Sequence, residues 1–336
     1  MRRETRRYRE RRMNNTPLPT LIEAFATYNR ARAHSPRTVS WYTEGLEAFV
    51  RYLEGRGREA VLADLTVDMA REWVVHLQTR PNLHDSQRRL SDYTVRGRAA
   101  ALSSFASFLA EDGYTDGHVL ASFTLPKLGK RHLVVLDEDK ISLVLAECST
   151  STARGLRALC IVCTLLDSGL RCFELANLRL DDVHLEQGYF LVRGKGNKER
   201  VVPIGAKVQR LLLRYITQVR PDPRDPSVTH VFVTETGEPM SVNTVQCLLK
   251  RLARRANVPE LRAHLLRHTY ATTFLRNGGD QLTLKEILGH ETLAMTAKYV
   301  HFTQQDVLRR YRGFSPMDRR PVPGLRLPAR RNGGGQ

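Results

Sequence analysis

Apolar residues recur at helical spacing along almost the whole chain, and the period falls clearly to two between Tyr189 and Ile204. A helix returns to the same face every 3.6 residues and a strand every second residue, so this contrast specifies a mainly α protein with a small antiparallel β-sheet. Tyr189 to Arg193 reads as a strand, Gly194-Lys195-Gly196-Asn197 as a turn and Glu199 to Ile204 as the return strand. Lys195 then sits at or near the tip of a hairpin. Val231 to Val233 reads as a further short strand before a turn at Gly237.

Four amphipathic helices precede this point. Thr20-Leu21-Ile22-Glu23 forms a capping box that opens a helix to about Ala33. Ser35-Pro36 caps a second, whose stripe is Val39, Tyr42, Leu46, Phe49, Val50 and Leu53 and which Gly55 ends. Thr66 caps a third with Met69, Trp73, Val74 and Leu77 inside; after a polar loop, 80–90, Ser91 opens a fourth with Val95, Leu102, Phe105, Phe108 and Leu109. These make an all-α four-helix domain, 16–113. It has no cluster of acids, histidines and nucleophiles, so binding suits it better than chemistry. Arg96 and Arg98 face outward from the fourth helix, as phosphate contacts or as an ordinary solvated face.

Residues 114–135 lack periodicity and carry Lys127, Lys130 and Arg131, as a basic interdomain linker able to close around a duplex would. The second domain, 136–312, is α+β. Asp137 and Glu138 head a helix to Cys148, Thr152 precedes an apolar helix over 153–167, and Ser168-Gly169-Leu170 breaks it before Arg171. Beyond the hairpin, 207–219 is helical. Ser241 caps a helix to Ala256 that carries Lys250, Arg251, Arg254 and Arg255, either a groove contact or a solvated face with few acids near enough to neutralise it.

The 336 residues carry a net charge of +18, of which the tails 1–13 and 313–336 supply +5 and +4. A body that stays basic without its tails favours a polyanionic partner, nucleic acid first. The Arg-rich arm 1–15 and the Pro, Arg and Gly-rich tail 313–336 are expected to be disordered. No apolar run approaches a membrane span and no signal peptide opens the chain, so a soluble cytoplasmic protein is expected, with no membrane partner. Five cysteines, an odd number, suit a reducing compartment, and the Cys160/Cys163 pair lies in an apolar helical run as core thiols do.

Between Ala263 and Val300 the residue types of phosphodiester chemistry crowd together. His264 and Arg267 share one face of a helix that Asn277, Gly278 and Gly279 stop. Thr283-Leu284-Lys285-Glu286 reads as a capping box for a short second helix, Gly289 ends it and presents His290, and Thr292 caps a third that leads to Tyr299. Two arginines, Arg171 and Arg267, could neutralise one phosphate; a phenol could attack with help from an imidazole; Lys195 could protonate the leaving oxygen. Each has a plainer reading: a packed tyrosine, a surface cation, a hairpin turn. His264, His268 and His290 as zinc ligands are disfavoured by Arg267 between the first two and by the lack of an adjacent glutamate. His268 is expected to pack and hydrogen-bond inside the domain.

Four motifs stand in order: Ser-Gly-Leu-Arg-Cys-Phe-Glu-Leu at 168–175, Gly-Lys-Gly-Asn-Lys-Glu-Arg at 194–200, His-Leu-Leu-Arg-His at 264–268, and Leu-Gly-His with Tyr299 nine residues after its histidine. Together they resemble the tyrosine recombinases, also called phage integrases, and most closely the Xer-like branch, over about 16–312. The resemblance implies a helical core-binding domain and a tyrosine recombinase catalytic domain. It implies site-specific recombination of double-stranded DNA through a 3′-phosphotyrosyl intermediate, without metal, ATP or other cofactor. Arg171, Lys195, His264, Arg267, His290 and Tyr299 would be catalytic: two arginine clamps, a lysine general acid, His264 the general base, His290 a donor to the phosphate and Tyr299 the nucleophile. Glu174 would buttress Arg171. The resemblance further implies a C-shaped clamp on DNA and a homo-tetramer exchanging strands on paired sites, from protomers monomeric in solution and associated with the nucleoid. Phe173 departs from the family's small hydroxyl residue, which bears on packing around Arg171. Val307 to Tyr311 would form the helix that docks on a neighbouring protomer. The alternatives are a type IB topoisomerase-like nicking-closing enzyme and a DNA-binding accessory protein without catalysis.

Overall fold

The computed structural model describes residues 14–82, 85–129, 134–194, 199–297 and 299. The chain forms two compact units, 1–131 and 132–336. Lys130, Arg131, Lys195, the two termini and the 307–311 segment lie outside the described residues.

In the first unit, helices α1 (Leu18–Ala31), α2 (Pro36–Glu54), α3 (Val67–Thr79) and α4 (Asp92–Glu111) surround one apolar core. Ser35, Thr66 and Ser91 each accept a hydrogen bond from the backbone N–H three residues on, the N-cap arrangement their sequence context predicts. The first helix starts earlier than its capping box suggests. Its N-cap is Pro17, and Leu18 N–H donates to the Ala60 carbonyl, so Thr20 falls inside the first turn. Phe25 meets Phe105 and Tyr42 edge-on, both with ring centroids 5.5 Å apart, and Phe49 meets Trp73 edge-on at 5.1 Å, so the apolar stripes of all four helices join. The polar loop over 80–90 contains a two-stranded antiparallel ribbon, β1 (Pro81–Asn82) and β2 (Asp85–Arg89), which its composition conceals.

Residues 114–125 differ from a free linker. Tyr114, Val119, Leu120, Phe123 and Leu125 pack on the helical core, and Arg96 donates to the Pro126 carbonyl. Arg96 therefore fastens this segment instead of pointing freely outward.

The second unit is built on α6 (Ala153–Ser168), which follows α5 (Glu138–Ala146) and contributes Cys160, Ile161, Val162 and Leu165 to the core. Burial pushes the Cys160 and Cys163 thiols up to about 12 and about 11, as inert core thiols require. A short α7 (Cys172–Ala176) leads into a three-stranded antiparallel sheet in the order β3 (Val183–His184), β4 (Tyr189–Arg193), β5 (Glu199–Pro203). Phe190, Val192 and Val202 face the core, and Tyr189 pairs with Pro203 and Arg193 with Glu199. The expected strand at 231–233 is instead a loop touching its neighbours at isolated bridges. Arg220 donates to the His230 and Val231 carbonyls, taking acceptors a strand partner would need.

The remaining helices are α8 (Ala206–Gln218), α9 (Val242–Arg255), α10 (Ala263–Arg276), α11 (Gln281–Leu288) and α12 (Leu293–Ala297). Helix α11 is capped by Asp280, whose carboxylate accepts from Thr283 N–H at 2.8 Å; the expected box beginning at Thr283 does not form because Asp280 captures that donor first. Among the described residues no helix is long and apolar enough to cross a membrane.

Helix α6 stops at Gly169, whose φ of 62° lies in the left-handed region, and a β-carbon there would stand 2.4 Å from Tyr270 Cδ1. Gly169→Ala should destabilise the second unit by about 2–4 kcal/mol, adding left-handed strain to overpacking. Both tryptophans, Trp41 and Trp73, lie in the first unit. The loss is therefore read in urea titrations by circular dichroism, and an unchanged midpoint would contradict it.

Candidate active site

The site is assembled around a carboxylate. Arg171 is the N-cap of α7; its N–H donates to Glu174 Oε2 and its Nη1 to Glu174 Oε1, both at 2.8 Å. From β5, Arg200 grips the same carboxylate with two bonds, Nη1 to Oε1 at 3.0 Å and Nη2 to Oε2 at 2.8 Å. Its Nε donates to the Ile287 carbonyl at 2.8 Å, near the end of α11. Glu174 is buried. Burial pushes its carboxyl up, but the bonds and charge of Arg200 and the bonds from Arg171 outweigh this and hold it below the usual glutamate value.

Gly289 ends α11 with φ 61°, which turns its carbonyl to Arg171 Nη2 at 3.4 Å and sets the direction of His290. Arg267, on α10, is buried with Nη1 on the Gly169 carbonyl at 2.7 Å and Nη2 on the Leu288 carbonyl at 2.8 Å. Its Nη2 also lies 3.1 Å from His290 Nε2. A guanidinium only donates, so Nε2 accepts and His290 Nδ1–H donates to Thr296 Oγ1 at 2.8 Å. Burial, and then the like charge of Arg171, lower the Arg267 pKa to about 10. The group stays charged at neutral pH, next to a second cation that repels it. An anion bound between the two relieves that repulsion.

Tyr299 is 3% exposed, its ring packed with Ala271, Leu275, Leu284 and Leu288. Its hydroxyl lies 2.9 Å from His268 Nδ1. Burial raises the phenol pKa, and the charges of Arg267 and Arg171 and a hydrogen bond from Arg267 pull against it without cancelling it. His264 is exposed, with its ring centroid 4.0 Å from that of His268. A cleft of about 490 Å³ is lined by Arg171, His264 and Arg267 together with Lys250 and Arg262.

Residues 134–306 match the phage integrase family, and residues 22–113 match the phage integrase N-terminal SAM-like domain. The chain belongs to the phage integrase family, the tyrosine recombinases. Tyrosine recombinase XerD of Listeria monocytogenes is 30% identical over 290 residues, 85% of this chain and 94% of that protein. Tyrosine recombinase XerC of Bacillus pumilus is 29% identical over 303 residues, 88% of this chain and 96% of that protein. The fold is similar to that of XerH recombinase bound to its difH substrate, with a TM-score of 0.67, 20% identity, and 88% of this chain and 84% of that one covered. It is also similar to a lambda integrase dimer bound to a core site, with a TM-score of 0.66, 16% identity, and 83% and 94% covered.

In this integrase-family site Arg171 bonds Glu174 and the Gly289 carbonyl, Arg267 contacts His290, His264 lines the same cleft, and Tyr299 meets both His268 and Arg267. Arg200 escaped the sequence reading, although it shares the inward register of β5 with the buried Val202, and an arginine at an inward strand position needs a buried partner. His268 was expected to pack and hydrogen-bond internally; it does, but its partner is the candidate nucleophile. Among the described residues no group of three or more His, Cys, Asp or Glu side chains is arranged to hold a metal ion.

The candidate DNA contacts divide. Lys127, Arg251 and Arg254 are exposed. Arg255 is engaged by Glu147, with Nε to Oε2 at 2.9 Å, so the basic face of α9 is partly neutralised. Arg98 is partly buried, and burial followed by the charges of Arg80 and Arg51 lowers its pKa, which marks a cationic cluster on the first unit. Arg51 and Arg80 also line an open hollow of about 910 Å³ with Arg56 and Arg71, a patch not evident from the sequence.

Removing Arg200 leaves Glu174 buried with half its partners, so Arg200→Ala should cost about 3–5 kcal/mol. Because the Glu174 pKa is lowered on folding, its stabilisation is present above the ordinary glutamate pKa and is lost as pH falls through the lower folded value. The stability gap between wild type and Glu174→Gln should therefore narrow on acidification. Thermal unfolding of both proteins across the acid range checks this, and a gap that widens would refute it.

Proposed function

We propose that this protein is a site-specific DNA recombinase that cleaves and rejoins strands through a 3′-phosphotyrosyl intermediate. The observation that carries the reading is the pair Arg171 and Arg267, cations held by buried acceptors at the cleft that His264 also lines. Such a pair grips the non-bridging oxygens of one phosphodiester and stabilises the charge that builds up as phosphorus becomes five-coordinate.

Tyr299 Oη attacks the phosphorus, the bond from phosphorus to the 5′ oxygen breaks, and Lys195 at the hairpin tip supplies the proton that oxygen takes up. The family's pattern gives the phenolic proton to His264. His290 acts first through Arg267, whose Nη2 it contacts, and becomes a second donor toward phosphate only when both its ring nitrogens are protonated. Rejoining reverses the same steps, with a 5′-hydroxyl as attacking group. The link conserves the energy of the broken bond, so the cycle closes without ATP.

Duplex DNA is the partner, and the Arg51, Arg80 and Arg98 cluster supplies phosphate contacts from the first unit. Four copies on two sites perform the exchange.

On a nicked suicide substrate in EDTA, the wild type should accumulate a covalent adduct and Tyr299→Phe none. Arg171→Ala and Arg267→Ala should each slow adduct formation by about 10²-fold or more, as loss of a transition-state donor does. An adduct from Tyr299→Phe would refute the assignment, and absence of strand exchange between two labelled sites would refute the tetrameric step. Binding should weaken steeply with salt, and replacing Arg51 or Arg98 should each reduce the slope of log affinity against log salt by about 1. An unchanged slope would remove that residue from the phosphate contacts.

A further inference from the structure

The nucleophile does not rest against the histidine that the family's pattern assigns as its base. The Tyr299 hydroxyl lies 2.9 Å from His268 Nδ1, and His268 is itself buried. His264 instead is exposed and lines the cleft with the two arginines. The two imidazoles are one helical turn apart on α10, with ring centroids 4.0 Å apart and planes at 68°. One ring thus faces the place of the phosphate and the other the place of the phenol.

A phenol whose pKa burial has raised is a poor nucleophile unless a base takes its proton as the oxygen attacks. The base must stand within hydrogen-bond reach of that proton, and His268 does. We infer that His268 is a catalytic residue of this chain, the proton acceptor for Tyr299, leaving His264 to contact the phosphate. The inference rests on the recombinase reading above. In the step, the phenol donates to Nδ1 of a neutral His268 whose ring proton is on Nε2. As the Oη–phosphorus bond forms and the bond to the 5′ oxygen breaks, the phenolic proton moves to Nδ1 and Lys195 protonates the 5′ oxygen. In rejoining, imidazolium His268 returns the proton to the departing Tyr299 oxygen.

The placement also orients the nucleophile. Arg267 and His268 are adjacent on α10, so the residue that holds the phosphate and the residue that holds the phenol move together.

Single-turnover cleavage of a suicide substrate tests this, with one substrate carrying the natural phosphate and a second carrying sulfur in place of the bridging 5′ oxygen. The thiolate leaves without a proton, so the sulfur substrate bypasses the general acid but not the base. His268→Ala should cleave both substrates about 10²-fold or more slowly than wild type with unchanged DNA affinity, and added imidazole should restore much of the rate. His268→Asn preserves a polar partner for the phenol but takes no proton, so it should fold and remain slow on both substrates. It decides the matter should the alanine variant fail to fold. Lys195→Ala should be slow on the natural substrate only. Near wild-type cleavage by His268→Asn, faster cleavage by either variant, or a folded His268→Ala that imidazole does not rescue would overturn the inference. A wild type that forms no adduct would instead refute the recombinase reading on which it rests.

Discussion

The carboxylate of Glu174 holds the site together. It is a buried charge, which a protein interior tolerates only with its hydrogen bonds filled, and Arg171 and Arg200 fill them from two directions. The consequence is geometric. Arg171 belongs to the start of α7 and Arg200 to the return strand of the hairpin, and Arg200 also reaches the Ile287 carbonyl of α11. One acid therefore sets the distance between three segments that are remote in sequence. It neutralises only one of the positive charges gathered there. With Arg267 beside Arg171, the cluster keeps an excess of cation that a phosphodiester is suited to balance.

The other acceptors come from helix ends. The last turn of a helix leaves carbonyls without partners, and the negative end of the helix dipole favours cations beside them. Gly169, at the stop of α6, and Leu288 and Gly289, at the stop of α11, present such carbonyls to Arg267 and Arg171. Both stops are left-handed glycines. Each glycine thus ends a helix and delivers an acceptor, and Gly169 also lies where a β-carbon would strike Tyr270. The arginines are held rigidly at little cost in side-chain freedom when a phosphate arrives, which is how binding groups become preorganised.

Much of this could be read from the residues alone. Ser35, Thr66, Ser91, Thr152 and Ser241 announce their helices because an N-cap is a local interaction decided within four residues. The hairpin was legible because alternation is likewise local. The misreadings were contests between neighbours or contacts across the chain. Asp280 and Thr283 both suit a helix start, and the acid, three residues ahead, captures the available N–H. The 231–233 segment has the composition of a strand, but Arg220 takes the carbonyls of His230 and Val231 and Arg157 that of Val233. Residues 114–125 are aperiodic and so resemble a linker, although Leu120 is buried in the helical core. Among the site residues, Arg171, Glu174, Arg267 and His290 stood out through their motifs. Arg200 did not, since its role depends on a carboxylate 26 positions earlier.

The placement of Tyr299 follows from the same frame. Its ring packs on Ala271 and Leu275 of α10 and on Leu284 and Leu288 of α11. Those two helices supply Arg267 and the carbonyl that holds its Nη2, so Tyr299 and Arg267 are referenced to one packed surface. The hairpin is tied to that surface near its turn, where Arg200, paired with Val192, meets Glu174 and Ile287.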